Sequence, residues 1–323
     1  MSTNKNNKMS HEQITINTNQ SESKKYETSE ESYRRLRRIV KDIVDEIRQE
    51  LQNKFSQENG FVDGDGSIRM NNFYDSNVES QKEFAQKSQG DKEAVDLQER
   101  YWAGLDNEES KRNRTQAYHL PENADDKAIL QAYRKHKETS LPNQLEMAIT
   151  ILLHKRFGDR YVVVRASKYD DYFNGIDNVL VNKETGDVIC AFDEVRMNER
   201  SDRDAYKKER SRKKASQGGA TLKYGFQITG GKIVKQPIAS IPIFCLGLDS
   251  EDCNALINNI SYANKTDNPT LKTQTLNETE KEILEKLLAS IREQRDQLMQ
   301  DEDVKKHGAV IENLTKVDSL LLN

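Results

Sequence analysis

The chain has 323 residues, 34% hydrophobic and 32% charged, so its apolar side chains must be concentrated in one region to build a core. A net charge of −4 and a pI near 5.9 argue against a globally basic nucleic-acid binder and leave that role to a local surface. Cys190, Cys245 and Cys253 lie in or beside apolar segments, there is no CxxC pair, and five histidines are scattered, which argues against a disulfide framework and a Cys/His zinc site. No apolar run is long enough to span a bilayer, and the expectation is a cytoplasmic protein.

Residues 1–27 are polar with little to bury and are predicted to be a disordered tail. Over 28–57, Thr28-Ser29-Glu30-Glu31 fits a capping box, followed by Leu36, Ile39, Val40, Ile43, Val44, Ile47 and Leu51 at helical spacing. This amphipathic helix needs another helix, or a second copy of itself, against its apolar stripe. Residues 58–120 read as a charged linker and helical region, with a glycine-rich loop over 58–75 and sparse apolar positions after it.

The pattern tightens over 121–262. A helix is predicted at 128–136, then a second that starts near Pro142 and buries Leu145, Ala148, Ile149, Leu152 and Leu153. A strand at 161–166, a hairpin and a basic helix at 199–216 follow. Strands are predicted at 220–228, 232–236 and 241–248, with Gly230-Gly231 turning between the first two, and then a short helix at 250–260. Residues 263–323 form a C-terminal helical extension, with Ile283, Leu284, Leu287, Leu288, Ile291 and Leu298 striping a helix at 277–299. The order describes an α/β fold: a mixed central β-sheet flanked by helices, with extra N- and C-terminal helices placed to pair with each other or across a homodimer.

The hairpin at 174–195 carries the chemistry. Apolar runs Val179–Val181 and Val188–Phe192 flank a Lys183–Gly186 turn, while Asp177 enters the first strand and Asp193 and Glu194 leave the second. With a four-residue turn, Asp177 lies opposite Phe192 and diagonal to Glu194; with five, it lies opposite Asp193. In either register two carboxylates converge and repel unless a cation or proton lies between them. Oxygen ligands of this kind suit Mg²⁺ or Mn²⁺. The simpler alternative has Asp177 capping its strand and the other two acids leaving into solvent.

Glu146 on the preceding helix, Asp177, Asp193-Glu194 and the basic helix after them resemble, in order, the core of the PD-(D/E)XK nuclease superfamily, whose fold is restriction-endonuclease-like. The resemblance covers residues 141–250. It implies Mg²⁺-dependent phosphodiester hydrolysis of nucleic acid, most simply DNA, with Asp177, Asp193 and Glu194 as metal ligands and Glu146 assisting. The motif's lysine is missing: Asp193-x-Val195 has no base, and Glu194-x-Arg196 has an arginine, which is a poor proton acceptor. The resemblance then points to Lys207 or Lys208 on the next helix for the ammonium, with Lys168 a further candidate.

Arg200, Arg203, Lys207, Arg210, Lys213 and Lys214 would contact the phosphate backbone, or else belong to a solvated outer face. The competing readings are a catalytically inactive nuclease-fold protein that binds nucleic acid or serves assembly, and a helical scaffold built on the terminal helices.

Overall fold

The computed structural model describes residues 29–55, 62–70, 78–197, 203–229, 232–261 and 275–321. In chain order its first half comprises α1 (Ser29–Phe55), α2 (Val78–Trp102), α3 (Glu108–Ala117), α4 (Asp126–Glu138), α5 (Leu141–Phe157), β1 (Tyr161–Arg165), a wide turn at Asp170–Asn174, β2 (Asn178–Asn182) and β3 (Val188–Arg196). The second half comprises α6 (Arg203–Ser216), β4 (Ala220–Leu222), β5 (Phe226–Thr229), β6 (Lys232–Lys235), β7 (Ile238–Ile241), β8 (Ile243–Leu248), α7 (Ser250–Asn259), α8 (Glu278–Gln300), α9 (Glu302–Lys305) and α10 (Gly308–Leu321).

The central sheet has the order β1-β2-β3-β8, antiparallel except for the parallel β3–β8 pair. Its strands read as nearly continuous apolar runs because helices cover both faces. Packed against it are α5 on β1 and β3, and α6 and α8 on β8. Two antiparallel ribbons, β4–β7 and β5–β6, complete the β structure among the described residues. The strand expected at 220–228 is split because the Lys223 and Tyr224 amides turn away to donate to the Asp170 carboxylate (2.7 and 3.1 Å). The strand expected at 241–248 begins after Pro242, which has no amide hydrogen to continue the ladder from β7.

Two segments differ from the sequence expectation. Within the 58–75 loop, residues 62–70 run along the free edge of β1: the Ile68 amide donates to Arg165 O, and the Arg165 amide to Gly66 O, both at 2.9 Å. This pairing caps the Arg165 end of that edge. The terminal helices are part of the core. The α1 stripe from Leu36 to Ile47 is buried against α5 and α7 of the same chain. On the other side, α8 and α10 cover β8, β3 and β7, and Gln294 bonds both the amide and the carbonyl of Cys245 (2.9 and 2.8 Å).

One hydrophobic cluster runs from α1 and the 62–70 segment through α5 and the sheet to α7, α8 and α10. The apolar stripes that suggested a dimer or a scaffold are therefore already covered within the chain. The three cysteines are buried and form no disulfide. Among the described residues no helix is long and apolar enough to cross a membrane. The 1–27 tail and the Gly230-Gly231 turn lie outside the described residues.

Candidate active site

The hairpin contains both of the registers considered. Next to the turn Val181 pairs with Val188, as a four-residue turn requires; beyond a bulge at Ile189, Leu180 pairs with Cys190 and Asn178 with Phe192. The bulge moves the open end into the register that sets Asp177 opposite Asp193. Asp177 nevertheless turns its carboxylate to Glu194, accepting that residue's amide hydrogen at 2.6 Å. Glu194 lies on the α5 face, where its Oε1 accepts from the Asn178 side chain (2.9 Å), itself held by Thr150 of α5 (2.8 Å).

All three acids are buried (Asp177 8%, Asp193 2% and Glu194 6% exposed), which overturns the alternative in which they leave into solvent. Burial, then repulsion from Glu194 and Glu146, drives the Asp177 pKa well above the carboxylate range. Burial pushes that of Glu194 up to about 7, even though it accepts hydrogen bonds. The second oxygen of Glu194, Oε2, is buried without a hydrogen-bond partner among the described residues. Two buried carboxylates, one with an unused oxygen, leave an acceptor on the α5 face that no hydrogen-bond donor among the described residues fills.

Asp193 departs from its expected role as a metal ligand beside Asp177. Strand alternation turns it to the opposite face from Glu194, where α6 engages it through Lys207 and, at 2.7 Å, Arg210. Lys207 also donates to the Glu194 carbonyl (2.5 Å). Burial alone would lower the Lys207 pKa, but Asp177 and Asp193 outweigh it and hold the pKa raised, so the group is an ammonium beside both acids.

Lys214 reaches the Asn174 carbonyl, and its pKa is depressed to about 8 by burial and then by Arg210. Lys207, Arg210 and Lys214 thus face the hairpin mouth, while Lys213 is exposed. The reading of α6 as a solvated outer face therefore holds for only one of its sides. Arg200 lies outside the described residues, and Arg203 only marks the start of α6. Lys208 is half-buried on α6 and Lys168 bonds Glu99 (3.0 Å), so of the three candidate lysines Lys207 is the one hydrogen-bonded at the acids.

A cavity of about 350 Å³ opens at the α5 side of the mouth. It is walled by α1, residues 63–67, α2, α4, α5 and the 165–177 segment, and Asp177, Glu146 and Asp171 all line it. Glu146 lines the same cavity as Asp177 and is bound by Arg165 at 2.6 Å, which is in turn close to Asp65. Asp171 is a residue that the sequence reading missed in favour of the hairpin acids. Burial and Glu146 raise its pKa to about 7, and Lys137 stands 3.9 Å away. Its neighbour Asp170 is structural, accepting from Ser167, Asn174, Lys223 and Tyr224. The signal separating the two acids was the wide turn, which presents one side chain inward and the next to the cavity.

Among the described residues no three carboxylate, imidazole or thiol groups converge closely enough to enclose an ion alone. Asp177 and Glu194 form a two-carboxylate set of the kind Mg²⁺ accepts while keeping several waters. Comparison of this chain with protein-family models, with the curated proteins and with the solved structures returned no match.

Proposed function

We propose that this chain is a Mg²⁺-dependent phosphodiesterase acting on DNA, with a restriction-endonuclease-like core of the PD-(D/E)XK type. The observation that carries the reading is the buried Asp177–Glu194 pair with the Lys207 ammonium on the adjoining carbonyl. Its lysine comes from α6 instead of the strand. Asp177 and Glu194 would hold the cation, which when bound polarises a phosphoryl oxygen. Lys207 stabilises negative charge developing on the phosphate, and Asp193 with Arg210 positions that ammonium. Glu146, fixed by Arg165, bounds the cavity beside them.

The test is incubation of plasmid and single-stranded DNA with Mg²⁺ or Mn²⁺, comparing wild type with Asp177→Ala and Lys207→Ala. Cutting by the wild type, lowered at least 100-fold in both variants, is expected. No metal-dependent cutting by the wild type on either substrate rules the reading out. One observation favours a second reading: Lys207 is already neutralised by Asp193, as in a purely structural ion pair. A non-cutting nucleic-acid-binding module would show salt-dependent DNA binding that Asp177→Ala leaves intact.

A further inference from the structure

We infer that the site accepts an unpaired DNA strand in preference to a closed duplex; this rests on the nuclease reading and specifies its substrate. Asp177, with Glu146 and Asp171, lines a cavity of about 350 Å³, near the low end of the volume range for sites that enclose one small ligand. A nucleotide fits such a space, whereas stacked base pairs do not enter it.

The wall is held in place. The buried carboxylate of Glu99 on α2 accepts from Arg134 of α4 (2.7 Å) and from Lys168 and Tyr172 of the hairpin approach (3.0 and 2.7 Å). Further along α2, Asp91 accepts from Lys223 and the Tyr224 hydroxyl at 2.8 and 2.7 Å. Moving this wall to admit a duplex would carry Glu99 and Asp91 away from their partners and leave buried polar groups unpaired, a cost that a single strand does not impose.

A second, independent observation concerns what lies outside. Phe173 and Tyr206 are large rings 43% and 68% exposed, one in the wide turn and one on α6. Arg210 joins the two elements: its guanidinium covers Gly175 and bonds Asp193. On α6, Tyr206, Arg210 and Lys213 follow at i, i+4 and i+7, on one helical face. Exposed rings interleaved with cations suit unpaired bases and their phosphates, because every base offers a face for stacking once it leaves a duplex. In an intact duplex those faces are occupied, and only the cations would find partners.

The experiment measures binding by fluorescence anisotropy of one labelled DNA sequence as a single strand and as a duplex closed by hairpin loops at both ends. Asp177→Asn protein in Mg²⁺ keeps the probe intact, and cutting is followed in parallel with wild type. The single strand should bind at least about tenfold more tightly and be cut preferentially. Tyr206→Ala and Phe173→Ala should each weaken strand binding by about fivefold or more. The melting temperature should be unchanged in Tyr206→Ala, and Phe173→Leu, which keeps apolar contact with Tyr169, separates lost stacking on bases from lost packing in Phe173→Ala. Equal or tighter binding and cutting of the closed duplex overturns the inference and leaves the nuclease reading standing. So does unaltered strand binding by both ring variants. Failure to bind or cut either form overturns both.

Discussion

Glu194 and Asp177 sit where a protein optimised for stability alone would place neither. Both pKa values are raised, so the folded state retains a proton that the unfolded chain gives up. The stability from this linkage is fully present below the ordinary carboxylate range and is lost as pH rises through about 7, the value reached by Glu194. Asp171 adds in the same direction, but its side chain is 33% exposed and the cavity's water screens it, so Asp177 and Glu194 carry the effect. The metal-free protein should therefore melt at a lower temperature at about pH 8 than at about pH 5.5. Glu194→Gln keeps the shape and removes the charge. It should raise the melting temperature at the higher pH by roughly 3–6 °C, equivalent to 1–2 kcal/mol in a domain of this size, while abolishing cutting. Millimolar Mg²⁺ should stabilise the wild type and not the variant. An equal pH-dependent fall in wild type and variant would show that Glu194 is not the source.

At the scale of elements, the turn at 170–175 and α6 depend on each other. Gly175 has φ +58, and a Cβ there would lie 1.6 Å from a guanidinium nitrogen of Arg210. Gly175→Ala should cost roughly 1–3 kcal/mol from the left-handed backbone alone, read as a lower urea midpoint. It should also reduce cutting by pushing Arg210 off Asp193; an unchanged midpoint would contradict this coupling. The same region shows what could be read in the sequence. Side-chain periodicity disclosed α4, α5, β1 to β3, α7 and α8 to within a few residues, because their burial follows a period of 2 or 3.6. The 62–70 segment on the β1 edge was not legible, since it pairs through backbone groups that leave no side-chain pattern. The convergence of acids at the mouth was visible, but the division of labour between Asp193 and Glu194 was not. It depends on the bulge at Ile189 and on which face α6 covers, and neither has a local signature. Lys207 could be named only alongside Lys208, because choosing between neighbours on a helix requires knowing the helix's rotation.

For the whole molecule, the question is whether the C-terminal helices are an appendage or part of what holds the site. Lys155 of α5 and Glu280 of α8 meet at 2.6 Å with side chains 1% and 0% exposed, and Lys155 also donates to the Ser261 carbonyl. Glu280 closes the capping box of α8 with Asn277, so one carboxylate both starts the helix and binds it to the core. Breaking a buried pair from one side leaves an uncompensated charge. Lys155→Met should therefore cost roughly 3–5 kcal/mol, measured by denaturant unfolding. Lys155→Met with Glu280→Gln should recover much of that loss, because glutamine can keep the cap without the charge. The α8 and α10 helices also cover β8 and β3, the strands beside and bearing Glu194, so their removal exposes one face of the sheet that carries the site. A chain ending at residue 262 should accordingly lack a cooperative melting transition and any metal-dependent cutting. A sharp transition at the wild-type temperature in that shortened chain would instead make the C-terminal helices an appendage, and would place the support of Glu194 entirely on α5 and α6.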